Sequence, residues 1–289
     1  MNVPTRAGQS PASAATEWQI AELDVDAYLR RIGYDERPDV SAETLGALHR
    51  AHVASIPFEN LDVVLGRKIS VDLSDVQDKL VTRRRGGYCY EHGVLFGAVL
   101  QRIGFSVDRL LARTGDPVEH PRPRSHLVLR VGVGDDLWLA DVGFGSGLLG
   151  PLLLVEGEPL RQGPWTYRLV LGDDGAWRLH EEAGGERKTL MTFTEEPQYL
   201  VDVAVASYNT STNPASPFVQ QSIVLRKDDS CIRSLSGRNL SVDVPGQPTQ
   251  STVLDDGEVA AVLSTEFGLR LSADEMRSLL LTLSAGSRG

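Results

Sequence analysis

The 289-residue chain is long enough for about two domains, and its 41% apolar content supplies a sizeable core. A formal net charge of −10 and a pI near 5.1 argue against a nucleic-acid binder, whose electrostatic footprint is basic. No apolar run approaches the roughly 18 residues of a membrane span, and residues 1–18 lack the apolar core of a signal peptide.

In chain order, Met1 to Thr16 is rich in Ala, Ser, Pro and Gly and reads as a disordered tail. Asp26–Ile32 has a helical pattern, Ser41 caps a second helix running to about Val53, and Asp72 or Ser74 starts a third that ends near Arg83-Arg84-Arg85. Gly86 and Gly87 then turn the chain into a helix expected over residues 88–103. There Val94, Leu95, Ala98, Val99 and Ile103 recur with helical spacing and predict one inward face. From about Val107 the period shifts to two, predicting strands at Asp108–Ala112, around His126, around Asp141, and at Trp165–Leu171 and Ala176–His180. The last two are joined by a Gly172-Asp173-Asp174-Gly175 turn, and the proline-rich, charged stretch Asp116–Arg124 is a surface loop. Tyr199–Ser207 reads as helix, Ser222–Arg226, Cys231–Leu235 and Leu240–Val244 as strands, and Glu258–Phe267 and Ala273–Leu283 as closing helices.

The segment Arg85-Gly86-Gly87-Tyr88-Cys89-Tyr90-Glu91 places a cysteine where a glycine turn enters a helix. The unpaired N–H groups and positive dipole end of a helix N-terminus favour thiolate, the nucleophilic form of a cysteine. A thiolate needs a base, and the base an orienting partner. His126 and Asp141 lie on two alternating segments separated by Gly132-Val133-Gly134-Asp135. If those four residues form the hairpin loop, Val131 faces Asp136 and His126 falls directly opposite Asp141, on one face of the sheet. His92, three residues after Cys89, is the rival base. His49 and His52 have metal-ligand spacing on a helix, but no third ligand is apparent, and a solvated helix face is the expectation. Cys231, in a polar strand, is expected to be structural, and Arg83–Arg85 a solvated charge run. The two cysteines lie far apart in different contexts, which suits a reducing cytoplasm better than a disulfide framework. Lysine occurs only at positions 68, 79, 188 and 227 amid many arginines, the mark of GC-rich codon usage and a bacterial source.

With Asp141-Val142-Gly143-Phe144-Gly145 added, these residues resemble the signature of the arylamine N-acetyltransferases. Ile56-Pro57-Phe58-Glu59-Asn60-Leu61, Asn209-Thr210-Ser211-Thr212-Asn213-Pro214 and Ser216-Pro217-Phe218 extend the resemblance over roughly residues 20 to 285. It implies an α+β fold: a tail over 1–18, a helical bundle carrying the nucleophile over 19–106, a β-barrel carrying His and Asp over 107–207, and an α/β lid over 208–289. It implies a cysteine-protease-like Cys89-His126-Asp141 triad, a ping-pong acetyl transfer with acetyl-CoA as co-substrate and no metal, and an arylamine, arylhydrazine or arylhydroxylamine acceptor. Phe58, Phe144 and Phe218 match acceptor-pocket positions, Gly143 and Gly145 are candidate CoA contacts, and Arg85 gains significance as the first residue of the motif. Gly93 departs from the family, which commonly has Asn there, and this puts in doubt a hydrogen bond close to the nucleophile. The same triad also serves amide synthases that close macrolactams from a carrier-bound acyl chain, and a thiol hydrolase or a silent binding module on this fold are further alternatives.

Overall fold

The computed structural model describes residues 17–183 and 185–286. The tail assigned to Met1–Thr16 lies outside them, but its expected limit at residue 18 falls inside the fold. Trp18 is 2% exposed, with the Arg109 guanidinium 4.2 Å from its ring centroid.

The first helices start where side chains satisfy their free N–H groups. Asp24 accepts from Ala27 N–H at 2.9 Å and opens α1 (Val25–Ile32), and Ser41 accepts from Thr44 N–H at 3.2 Å and opens α2 (Ala42–Ser55). A two-residue strand β1 (Phe58–Glu59), a short α3 (Leu61–Val64) and α4 (Leu73–Gln77), which continues as one π turn over Asp78–Thr82, lead to α5 (Cys89–Ile103). The amphipathic expectation for α5 fails. Every residue from Cys89 to Leu100 is buried, because helices cover one side of it and strands the other. A helix apolar nearly all round is a core helix.

Strands β2 (Ser106–Thr114), β3 (His126–Val133), β4 (Asp136–Ala140), β5 (Leu152–Leu153), β6 (Leu160–Gln162), β7 (Trp165–Leu171), β8 (Trp177–Ala183) and β9 (Glu186–Phe193) follow. Among the described residues they form one antiparallel sheet in the order β5-β4-β3-β2-β9-β8-β7-β6. The sheet curls into a nearly closed barrel. Gln162 on one edge strand takes N–H bonds from Leu149 and Gly150 and donates to Gly150 C=O, tying the two edges together. β3 is buried on both faces: Leu127, Leu129 and Val131 enter the core around α5, and Val128 enters the barrel core with Leu110, Leu179 and Met191. That period-two split is what carries the first residue of β3 to the junction of the two cores.

The chain continues through α6 (Leu200–Thr212), which runs across residue 207, then α7 (Pro217–Gln220), β10 (Ile223–Lys227), β11 (Ile232–Ser236), β12 (Asn239–Asp243), β13 (Gln250–Val253), α8 (Asp256–Thr265) and α9 (Ala273–Gly286). The second sheet has the order β1-β10-β11-β12-β13, so a strand from the helical region is its edge, with Phe58 opposite Leu225. Val224, Leu235, Val259, Leu263 and Phe267 form a third core beneath it. Among the described residues, no helix is long and apolar enough to cross a membrane.

Candidate active site

Cys89 is the first residue of α5, and the turn before it is held on all sides. A side chain at Gly86 would place its Cβ 2.2 Å from Pro57 O, so only glycine lets this turn approach the segment that leads into β1. Glu91 accepts Tyr88 N–H at 3.0 Å with one carboxylate oxygen and Lys79 Nζ at 2.8 Å with the other. Lys79 also pairs with Asp62 at 3.0 Å, and Arg85 with Glu59 at 2.8 Å and Asp62 at 3.5 Å. All five groups are buried, which overturns the solvated reading of Arg85. Burial works against the Lys79 ammonium, but Glu91, Glu59 and Asp62 outweigh it and hold the group charged. Buried ions need such partners, since breaking one pair leaves an uncompensated charge.

β3 begins at His126, which brings its ring to Cys89 from the barrel side. His126 Nε2 lies 2.8 Å from Asp141 Oδ2, leaving Nδ1 as the nitrogen available to sulfur. Burial opposes the imidazolium, yet the Asp141 carboxylate and the Cys89 side chain, a hydrogen-bond partner of the ring, raise its pKa to about 10. Asp141 Oδ1 accepts Gly143 N–H at 3.0 Å, and Cys89 Sγ lies 3.7 Å from Ser125 C=O. Cys89, His126 and Asp141 are each 3% exposed.

The hairpin register differs from expectation. Val133 pairs with Asp136 and Leu129 with Ala140, so the turn is the two residues Gly134-Asp135. Gly134 has φ +59°, as the first turn position of a II′ hairpin requires. The two-residue shift keeps His126 and Asp141 on one face, but as diagonal neighbours.

A family model described as N-acetyltransferase matches residues 41–276. The arylamine N-acetyltransferase of Mycolicibacterium smegmatis is 40% identical over 259 residues, covering 86% of this chain and 93% of that protein. The chain belongs to the arylamine N-acetyltransferase family. The Escherichia coli arylamine N-acetyltransferase is 34% identical over 248 residues, covering 84% of this chain and 87% of the other. The solved arylamine N-acetyltransferase of Mycobacterium abscessus superposes with TM-score 0.89 at 38% identity, covering 98% of this chain and 99% of its own. That of Mycobacterium marinum in complex with CoA gives 0.84 at 34% identity, covering 91% and 99%.

Within this N-acetyltransferase the rival base is placed elsewhere. His92 Nδ1 is 2.8 Å from His52 Nε2, and its Nε2 is 3.0 Å from Gly87 O, so both nitrogens are occupied. His49 and His52 are fully buried, correcting the solvated-face expectation, and their nitrogens are occupied too. His49 Nδ1 donates to Leu149 C=O at 3.2 Å while its Nε2 accepts Asp141 N–H at 3.1 Å, so His49 fixes the backbone of Asp141. Sequence spacing could not reveal this, because the partner lies 92 residues away. Gly93 has its own reason: a Cβ there would meet Leu127 Cδ2 at 2.6 Å, so Leu127 fills the space of a longer residue. Gly143 packs on the Cys89 backbone, where a Cβ would lie 2.9 Å from Cys89 O, and Gly145 (φ +81°) packs on Phe58 and Leu225. Cys231 is buried and unbridged.

Phe58 and Phe218 cluster with ring centroids 5.9 Å apart, and Tyr88 meets Phe218 at 6.1 Å. Phe144 stands edge-on to His126 at 5.1 Å and also lines a cavity of about 900 Å³ between the barrel mouth and the second sheet. Cys89 is outside that lining, and Phe144 touches both the cavity and the His126 ring. A residue that sequence reading missed holds the segment after Phe144. Lys227 Nζ, on β10, donates to Ser146 C=O at 3.1 Å, Gly147 C=O at 2.6 Å and the Tyr167 hydroxyl, 3.9 Å from the Trp165 ring centroid. Burial lowers its pKa to about 7.

The buried histidines set a pH signature. Burial lowers His49 and His92 to about 4. Their stabilisation is present above the unfolded value near 6.5 and is lost as pH falls towards 4, on the order of 3 kcal/mol each. His126 has the opposite sign: its contribution is complete below 6.5 and is lost as pH rises through about 10. In urea melts from pH 4 to 10, His92→Gln is expected to flatten the acid limb and His126→Gln the alkaline limb. Unchanged limbs in both variants would refute these protonation states.

Proposed function

We propose that this chain is an acetyl-CoA-dependent N-acetyltransferase that acts on arylamines, arylhydrazines or arylhydroxylamines through an acetyl-cysteine. The observation that carries the reading is the Cys89–His126–Asp141 constellation at the start of α5, with the 2.8 Å His126–Asp141 bond fixing the ring. The Cys89 sulfur attacks the thioester carbonyl, forming a C–S bond. The tetrahedral oxyanion is received by backbone N–H groups, that of Cys89 among them. Its collapse breaks the bond to the CoA sulfur, which leaves as CoA thiol with the proton of His126. The neutral ring then accepts the proton of the attacking amine, the new C–N bond forms, and Cys89 departs.

Phe144 and Trp165, the aromatic side chains on the cavity lining, suit a planar acceptor, since offset or edge-on ring contacts contribute about 0.5–1.5 kcal/mol each beyond area burial. The cavity reaching Phe144 offers room for the donor and acceptor to enter in turn. Intact-mass spectrometry after incubation with acetyl-CoA is expected to show one acetyl group on Cys89 and free CoA, discharged by an anisidine- or hydralazine-like acceptor. No adduct from acetyl-CoA, with acylation by a long-chain carrier-type thioester, would instead assign the chain to macrolactam formation.

A further inference from the structure

Behind the nucleophile turn lies a row of polar groups that the acetyl-transfer chemistry does not use. The Tyr28 hydroxyl is 2.8 Å from His52 Nδ1, His52 Nε2 is 2.8 Å from His92 Nδ1, and His92 Nε2 is 3.0 Å from Gly87 O. Tyr28, His52 and His92 are each 0% exposed, so water does not compete for these bonds. The row has one consistent direction. A carbonyl oxygen only accepts, so His92 Nε2 carries the hydrogen, and a neutral ring leaves Nδ1 as acceptor. His52 must then donate from Nε2 and accept at Nδ1, which makes the Tyr28 hydroxyl the terminal donor.

The end of the row is a single peptide unit. Gly87 C=O takes the His92 hydrogen and also accepts Glu59 N–H at 2.7 Å, which occupies both of its lone pairs. The N–H of the same unit, that of Tyr88, is held by Glu91 at 3.0 Å. The next unit presents the Cys89 N–H, which has no intrahelical partner at this position. We infer that Tyr28, His52 and His92 are positioning residues that fix the Gly87–Tyr88 peptide and thereby aim the Cys89 N–H at the acyl oxygen. The inference rests on the reading of Cys89 as the acylated nucleophile. It distinguishes His92 from an inert core histidine by a specific consequence: the row supports attack on a carbonyl, where an oxyanion develops, more than the nucleophilicity of the sulfur.

Two reactions at the same atom separate these roles. Alkylation by iodoacetamide displaces iodide and develops no oxyanion, whereas acetylation by acetyl-CoA or 4-nitrophenyl acetate does. In His92→Leu and His52→Leu the acetylation rate is expected to fall about 10- to 100-fold, less than the 10²–10³ for outright loss of an oxyanion donor. Alkylation should stay within about threefold of the wild type, because the sulfur and its His126 partner are untouched. His92→Gln keeps a donor towards Gly87 and should restore acetylation to within a few-fold. Parallel loss of both rates, or loss of neither, would overturn the inference. Acetylation absent in the wild type would overturn the functional reading and this inference with it.

A second measurement is independent of any variant. Imidazole ¹⁵N spectra of the full chain at pH 7 are expected to show neutral His52 and His92, both with the hydrogen on Nε2, and His49 with the hydrogen on Nδ1. An Nδ1–H tautomer at His92 would break the row and overturn the inference whatever the rates show.

Discussion

Cys89→Ala is expected to abolish acetyl transfer, lowering turnover by about 10⁴-fold or more, as loss of a nucleophile does in triad enzymes. The cysteine supplies the only atom that carries the acetyl group between donor and acceptor in the proposed cycle, and no neighbouring side chain replaces it. His92 is committed to Gly87 and His52, and Cys231 lies on the link between β10 and β11. The fold should survive. Alanine is the best helix former, the first turn of α5 keeps its Glu91 bond to Tyr88 N–H, and the deleted atom is a single sulfur. The measurement is CoA release with an anisidine-like acceptor alongside a thermal melt. Near-wild-type turnover by a folded Cys89→Ala protein would refute the nucleophile assignment.

Much of the architecture was legible because local signals and tertiary demands agreed. Ser41 before α2, the glycine turn before α5, and the alternation in β2, β3 and β7 each predict the element found there. Apart from the hairpin register, which failed on the length of the turn, the failures share one cause, which is that periodicity reports the polarity of residues and not what packs on them. The face of α2 carrying His49 and His52 looked hydrated, yet both rings are satisfied by groups distant in sequence. β9 was missed because Glu186-Arg187-Lys188 is exposed and Leu190–Phe193 is buried, so charge and apolarity divide along its length rather than alternate. β13 has four exposed residues and no apolar pattern. β1 is two residues long, and only its pairing with β10 makes it a strand. In the candidate site, residue type singled out Cys89, His126 and Asp141, whereas the spacing put His126 directly opposite Asp141 and the structure has them as diagonal neighbours. The roles of Lys227 and His49 were not legible, since each acts through backbone carbonyls or N–H groups that leave no mark in sequence.

Asp141→Asn is expected to preserve the fold and lower kcat/KM by about 10⁴, the loss seen when the orienting carboxylate of a serine-protease triad becomes an amide. The argument follows from the two bonds Asp141 makes. Gly143 N–H can only donate, so the amide oxygen of the substituted side chain must take the place of Oδ1, 3.0 Å from that nitrogen. The amide NH₂ then faces His126 Nε2 across the 2.8 Å gap where a carboxylate oxygen stood. Two donors cannot share that bond, so the ring adopts the Nδ1–H tautomer and points its hydrogen at Cys89. In that state the lone pair of His126 is on Nε2, turned to the amide, so none faces the sulfur or the incoming amine, and the carboxylate that favoured its charged form is gone. His49 still holds the backbone of residue 141 through its N–H, and Gly143 still packs on Cys89, so the melting temperature should move little. Acetylation by acetyl-CoA, followed by intact mass, isolates the first half-reaction and should be slowed by a similar factor. If Asp141→Asn acetylates at the wild-type rate, the tautomer argument fails and His126 does not depend on Asp141 for its orientation.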